Sequence, residues 1–437
     1  ESQKPAPTYI ADGLNGKPVL QFGLDDGSTP LNRSLIIDDA DNLDGGAGIS
    51  IFTVFKRNQF YADFAAVFQK RDITAGAPGQ AYVLEFNGGS NPHTLQFVIE
   101  RSLFLRSDSE FNDQDYYIAN AELQGDFSQV ILRSNGGIEK INSFNGIIPA
   151  VDAPAIIGGF QPVSIPELVV YKKGLNAAQN LIVHNYLAVK YGLELMEGDT
   201  DLKLYTNTDY TEDLIGVGKT LYIDGTTEQE HRSASGAGLQ IDVRSPFAVD
   251  DFVMAAHNGL PVTTASNWER IWHVEVIGNS PNVDMIFDFE AAGVDAPGSV
   301  DNLKLLYYDG EEWTDTGLAP VAGAGTVKFA VDGLQSGEYR LGTLTRTVEV
   351  DHSDLLRVFP NPSNGDAVNI RIDNDAQGTI LIGVYDYTCK EVRAIRVDKA
   401  GTVLQETLNL NTLPNGMYTV RVMQEGKFRA IRKLIKQ

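Results

Sequence analysis

The chain has 437 residues with 42 Gly, 18 Pro, a single Cys and a net charge of −23. That length exceeds one ordinary core and predicts about two to four domains. The lone Cys389 excludes an intrachain disulfide, and no apolar run reaches the ~18 residues that a membrane-spanning helix needs. Charge is uneven: residues 355–437 carry 12 Lys and Arg against 8 Asp and Glu, whereas the first 354 residues carry 23 against 50. The acidic body repels nucleic acid, whose phosphates need a basic patch, so no nucleic-acid partner is expected.

In chain order the first region reads as short strands broken by Gly, Asn and Asp turns: KPVLQF, ISIFTVFK, AYVLEF, TLQFVIE, SQVILRS, APAIIGGF and PELVVYKK. Apolar and polar residues roughly alternate, the pattern of a sandwich or jelly roll. Between the first two strands lies an acidic stretch. Asp39, Asp41 and Asp44, beside Asp38 and Gly45-Gly46, supply hard oxygen ligands suited to calcium, and Asp25-Asp26-Gly27 is a further contributor. The spacing is not that of an EF-hand, and a solvated acidic turn is the plainer reading. In FNDQDYYIAN, Tyr116 and Tyr117 are candidates for stacking on a sugar, with Asn112 and Asp115 binding hydroxyls. Tyrosines of the core or a strand edge are the alternative.

One helix closes the region. In LNAAQNLIVHNYLAVKYG, Asn176 suits an N-cap with Gln179 as its capping-box partner, and Ala178, Ile182, Tyr186 and Val189 form an apolar stripe. Gly192 fits the position just past the helix end. A second strand series follows, DLIGVG, GLQIDVR, DFVMAAHN, RIWHVEV, VDMIFDF, LKLLYYDG and GEYRLGTL, with Trp272 expected in the core.

The last region opens on VFPNPSNG, where Pro360 and Pro362 force an extended entry. Pro414-Asn415-Gly416 makes a tight turn before a strand, and the chain ends FRAIRKLIKQ. A compact sandwich of about seven strands is predicted. Catalytic signatures are missing: six scattered His, no H-E-x-x-H, no C-x-x-C, no G-x-S-x-G elbow, no phosphate loop and no E-x-D-x-x-E strand. The chain is therefore expected not to be an enzyme.

Three resemblances sharpen this reading. NGKPVLQF, ISIFTVFK and PELVVYKKGLNAAQNLIVHNYLAVKYGL resemble the concanavalin A-like, laminin-G-type domains of Bacteroidetes surface proteins over residues 1–193. Such domains usually open with a tryptophan-containing segment ahead of NGKP, so N-terminal strands are expected to be missing. DLIGVGK, SASGAGLQI, FVMAAHNG and ERIWHVEV resemble the β domain that often follows it, here over 194–347. Residues 348–437 resemble the type A C-terminal sorting domain of type 9 secretion substrates, on Pro360, Asn361, Pro362, Gly365, Pro414, Gly416, Tyr418, Arg432 and Lys433. Cys389 departs from that pattern, standing where the family's turn has Gly; a half-exposed turn Cys is the plain reading.

The resemblance implies an all-β chain: a jelly-roll sandwich, a second β-sandwich and an immunoglobulin-like sorting sandwich. It implies export to the cell surface or medium, docking on the secretion translocon and its outer-membrane shuttle barrel, and removal of the label by a sortase. A chain that keeps its label while opening inside the first domain is expected to be cargo still held by that machinery. The body is then an adhesin-like binder of glycan or a surface protein. A polysaccharide-degrading enzyme with acids from separate strands and a structural or gliding-related surface component are the alternatives.

Overall fold

The computed structural model describes residues 6–23, 33–59, 63–71, 80–89, 93–159, 162–196, 202–308, 310, 312–343, 355–374, 377–386, 391–424 and 428–437. Two compact units divide the chain, Glu1–Thr343 and Leu344–Gln437. All strand pairs of the sheets are antiparallel.

The first unit opens with a two-sheet sandwich. One sheet has seven strands in the spatial order Thr8–Leu14, Lys17–Phe22, Val163–Tyr171, Gly48–Arg57, Tyr117–Gln124, Gln129–Ser134 and Gly137–Ser143. The other has six: Arg33–Ile37, Ala155–Gly159, Ala66–Arg71, Gln80–Phe86, Leu95–Ile99 and Leu103–Arg106. Ile49, Ile51 and Phe55 point into the core between the sheets, with Phe68, Tyr82, Leu84 and Phe97 opposite. Phe52 and Val54, on the other face of the same strand, lie under the helix Ala177–Tyr191. Cover on both faces is why this strand reads as a nearly unbroken apolar run.

The helix forms where the sequence placed it. The Asn176 side chain accepts from the Gln179 N–H and Gln179 answers on the Asn176 N–H; Gly192 ends the helix at φ 63°. Its apolar surface is wider than one stripe. Leu187, Ala188 and Tyr191 pack on the first sandwich, while Ala178 and Ile182, with Tyr186 and Val189 beside them, pack on Leu214, Phe252, Met254 and Ala256 of the second. One helix therefore completes two cores, and the two sandwiches form a single unit.

Polar locks fix the helix. Glu122, fully buried, accepts from Ser50 Oγ (2.9 Å), Gln124 Nε2 (2.7 Å), the Leu175 N–H (2.9 Å), Arg133 Nη1 (2.8 Å) and Asn180 Nδ2 (3.2 Å). Glu167 accepts from Tyr186 Oη (2.8 Å), Lys190 Nζ (2.8 Å) and Tyr191 Oη (2.9 Å). The polar residues of YLAVKYG thus read back onto the Glu of PELVVY. His184 donates from Nδ1 to the Asn180 carbonyl, and burial, reinforced by Arg133, pushes its pKa down to about 3, so the ring is neutral.

The second sandwich pairs a seven-stranded sheet with a five-stranded one. The larger runs Glu228–His231, Glu212–Leu221, Phe252–His257, Trp272–Ile277, Gly337–Thr343, Leu303–Tyr308 and Trp313–Asp315. Strict alternation in Val283–Asp288 buries Val283, Met285 and Phe287 against Trp268, Trp272 and Phe329.

The C-terminal unit is a seven-stranded sandwich of its own. Leu356–Phe359, Ala367–Asp373 and Val403–Asn409 form one sheet; Glu391–Lys399, Gly378–Tyr385, Gly416–Gln424 and Phe428–Lys436 form the other. Ile370, Ile372, Ile380, Ile382, Val420, Val422 and Leu434 fill its core.

Candidate functional sites: the sorting unit and a polar sheet face

Proline explains how the entry to the C-terminal unit is held. Pro360 and Pro362 have no N–H to give a neighbouring strand. The Asn361 side chain takes over that role, donating to the Lys433 carbonyl (2.6 Å) and accepting from the Ile435 N–H (2.9 Å). The Ser363 N–H then donates to the Ile435 carbonyl (2.7 Å), and the Gln437 N–H to the Ser363 carbonyl (2.8 Å). The Pro-Asn-Pro segment and the chain end are thus stitched together.

Other residues of the pattern do similar work. The Tyr418 hydroxyl donates to the Pro414 carbonyl (2.7 Å), fixing the turn ahead of its own strand. Arg432 Nε donates to the Leu356 carbonyl (3.1 Å) across the two sheets. The Lys436 ammonium, buried, donates to the Leu410 and Leu413 carbonyls, each at 2.8 Å. Gly365 donates to Ser363 Oγ (3.4 Å), Gly416 has open space around it, and the Lys433 side chain faces solvent. Most of the pattern therefore builds the terminal strand. Cys389 lies outside the described residues.

An Asn361→Ala variant is expected to lose about 0.5–1.5 kcal/mol from this unit, because two exposed hydrogen bonds to the backbone are lost and water takes their place. Chemical denaturation of the full chain, followed by the unfolding step of the C-terminal unit, checks this; an unshifted midpoint contradicts it.

Two sites expected from the sequence are arranged differently in the structure. The acidic loop already holds a cation: Lys70 Nζ, fully buried, sits 2.6 Å from Asp39 Oδ1 and 3.3 Å from Asp44 Oδ1. The Lys70 hydrogen bond draws the Asp39 pKa below the usual carboxylate value. Asp41 contributes its carbonyl to Lys172. A calcium ion on Asp39, Asp41 and Asp44 would have to displace a buried ammonium, and no cluster of three His, Cys, Asp or Glu suited to a metal exists among the described residues. Asp25-Asp26-Gly27 lies outside them.

The Tyr116 and Tyr117 platform is not assembled either. Tyr117 packs inward on Phe111 (centroids 4.9 Å apart) and Phe55, whereas Tyr116 lies with the residues beneath the helix, under Lys56. Tyr117 opens its strand toward the core and Tyr116, just ahead of it, turns toward the helix, so the two rings do not form one platform. Asn112 and Asp115 close a turn on themselves: the Gln114 and Asp115 N–H groups donate to Asn112 Oδ1, and Asn112 Nδ2 donates to Asp115 Oδ2 (2.7 Å).

The sequence does not single out the outer face of the six-stranded sheet, which carries a polar network. Register sets Glu85 opposite Gln96, Gln96 opposite Arg106, Gln69 opposite Val83 and Val98 opposite Phe104. Gln96 Nε2 donates to Glu85 Oε1 (2.7 Å), and Arg106 Nε to Gln96 Oε1 (3.1 Å). Five buried atoms on this sheet have no hydrogen-bond partner: Arg33 Nε and Ser34 Oγ on the edge strand, and Gln69 Oε1, Arg71 Nε and Glu85 Oε2 on the paired strands Ala66–Arg71 and Gln80–Phe86. Burial pushes the Glu85 carboxyl up, against the Gln96 hydrogen bond and the charges of Arg71 and Arg101. Phe104 is exposed at the sheet edge.

A cavity of about 450 Å³ lies between the helix and the second sandwich, lined by Tyr171, Gln179, Tyr186, His231 and Ser233 among others. Its polar lining is largely committed, Tyr186 to Glu167, Gln179 to His231 and Ser233 to Asp242.

The geometry defines a two-sandwich body followed by a self-contained unit stitched through its terminal strand. Residues 357–437 match the secretion system C-terminal sorting domain. The chain is thus type 9 secretion cargo, secreted or displayed at the cell surface. No curated protein matches it.

Among solved structures it is similar to the SAP-like pentraxin of Limulus polyphemus, at 15% identity over 41% of this chain and 88% of that one, TM-score 0.30. Domain 4 of the Geobacillus stearothermophilus arabinanase AbnA, in complex with arabinotriose, is similar at 14% over 41% and 82%, TM-score 0.31. The Ruminococcus gnavus sialidase CBM40 bound to α2,3-sialyllactose is similar at 12% over 42% and 98%, TM-score 0.30. At these TM-scores none of their ligands passes to this chain.

Proposed function

We propose that the exported body is an adhesin-like carbohydrate-binding module, not an enzyme, and that its sugar site is the outer face of the six-stranded sheet. The translocon and shuttle barrel hold the sorting unit during export, and a sortase removes it. The observation that supports the binding reading is the group of three unpartnered buried atoms, the acceptors Glu85 Oε2 and Gln69 Oε1 and the donor Arg71 Nε, on two adjacent strands. A buried polar group without a partner costs about 1–3 kcal/mol, and sugar hydroxyls, which both donate and accept, would satisfy all three. Phe104 adds an apolar ring for the C–H face of a sugar. Among the described residues the strands of this face bring one carboxylate, Glu85, whereas most glycosidases work with two.

The test is a glycan array with the full chain, followed by calorimetry on the best ligand and a reducing-sugar assay. Glu85→Gln and Phe104→Ala are each expected to weaken binding about tenfold, the value of one lost contact of roughly 1.4 kcal/mol, with no sugar released. Unchanged affinity in both variants would remove the site, and steady release of sugar would turn the reading toward hydrolysis.

A further inference from the structure

We propose that the second sandwich carries a separate carbohydrate-stacking surface, centred on Trp313 and Tyr308, that takes neutral polysaccharide chains. This surface lies on the other sandwich of the body and does not depend on the Glu85 reading. In the seven-stranded sheet of that sandwich, register aligns four side chains in one cross-strand row: His273 opposite Glu338, Glu338 opposite Tyr308, and Tyr308 opposite Trp313. Directly opposed residues share a face, and this face is the one turned away from the core, since Trp272, Val274, Tyr339 and Leu341 alternate with the row and point inward.

Each member of the row has a defined setting. The Tyr308 and Trp313 rings lie 5.4 Å apart at 41°. The Arg340 guanidinium sits 4.5 Å from the Trp313 centroid and fixes the plane of the indole. Tyr210 stacks on His273 at 5.5 Å with its hydroxyl near the Glu338 carboxylate, walling one end of the row. Trp268 and Trp272 are fully buried, whereas Trp313 is half-exposed on the edge strand. A half-exposed indole and phenol side by side, flanked by a carboxylate and a guanidinium, match the two faces of a pyranose: apolar C–H groups for the rings, hydroxyls for Glu338 and Arg340. The ligand is neutral, because the first 354 residues carry 50 acidic against 23 basic side chains and repel a polyanion.

Tryptophan fluorescence of the full chain tests this, since Trp268 and Trp272 are shielded and Trp313 is the tryptophan open to quencher. Soluble xylan, glucomannan, mixed-linkage β-glucan and the polyanion alginate are the probes, with acrylamide as quencher. At least one neutral polysaccharide is expected to protect the emission, equally in wild type and Glu85→Gln. Tyr308→Ala, which keeps the Trp313 reporter, should raise the midpoint for protection about tenfold, with its unfolding midpoint recorded alongside. No protection by any neutral probe, protection by alginate alone, or a wild-type midpoint in a folded Tyr308→Ala variant overturns the proposal. Failure of the Glu85 site leaves this readout unaffected, so the two outcomes separate.

Discussion

A chain ending before Val358 is expected to fold its body normally yet disappear from the medium and the cell surface, falling to background. The C-terminal unit has its own two sheets and its own core, drawn from Leu356 to Leu434. No residue of the body's cores comes from beyond Leu341. Deleting it therefore removes an address and leaves the passenger's packing intact. Fractionation with detection of the body, beside circular dichroism of the purified truncated chain, checks both halves. The reciprocal arm is a fusion of residues 344–437 behind an unrelated secreted passenger, which should now leave the cell. A truncated chain that still reaches the surface would mean that the body carries a second export signal.

The sorting unit was legible because its information is local. Pro360 and Pro362 dictate backbone shape by themselves, and Asn361 between them is the one side chain there able to replace a missing backbone pair. The helix was legible at its ends for the same reason, with Asn176, Gln179 and Gly192 acting within one turn. Its burial was not. The stripe of Ala178, Ile182, Tyr186 and Val189 faces the second sandwich, and the face of Leu187, Ala188 and Tyr191 that docks on the first was overlooked. A helix apolar on two sides is the mark of a shared layer.

The polar sheet face was harder still, because it depends on strand register. Glu85 in AYVLEF and Gln96 in TLQFVIE look like isolated polar positions of alternating strands, and only pairing brings them together with Gln69. Lys70 lies 31 residues from Asp39, too far for the sequence to show that the acidic loop is already neutralised. Tyr116 and Tyr117 are adjacent in sequence, yet the structure turns one ring toward Phe111 and the other toward the residues beneath the helix.

Glu122→Ala is expected to be the most destabilising single change in the body, by about 3–5 kcal/mol. The loss has two parts. Arg133, which is buried and gives Nη1 to Glu122 Oε2, is left without its counter-charge. Ser50, Gln124, Asn180 and the Leu175 N–H lose an acceptor at the point where the chain enters the helix. Because that helix completes both cores, the two sandwiches should loosen together and unfold in one transition at lower denaturant. Stability of a typical domain is only about 5–15 kcal/mol, so the variant stands near the limit of folding. Adding Arg133→Met removes the stranded charge but does not restore the acceptor that Ser50, Gln124, Asn180 and the Leu175 N–H have lost, each of which keeps one other partner. The double variant should therefore recover part of the loss, and a double-mutant cycle by urea denaturation measures how much belongs to the ion pair. A Glu122→Ala cost below about 1 kcal/mol would mean that water replaces the carboxylate, and the helix would then be held by its apolar faces and the Glu167 cluster alone.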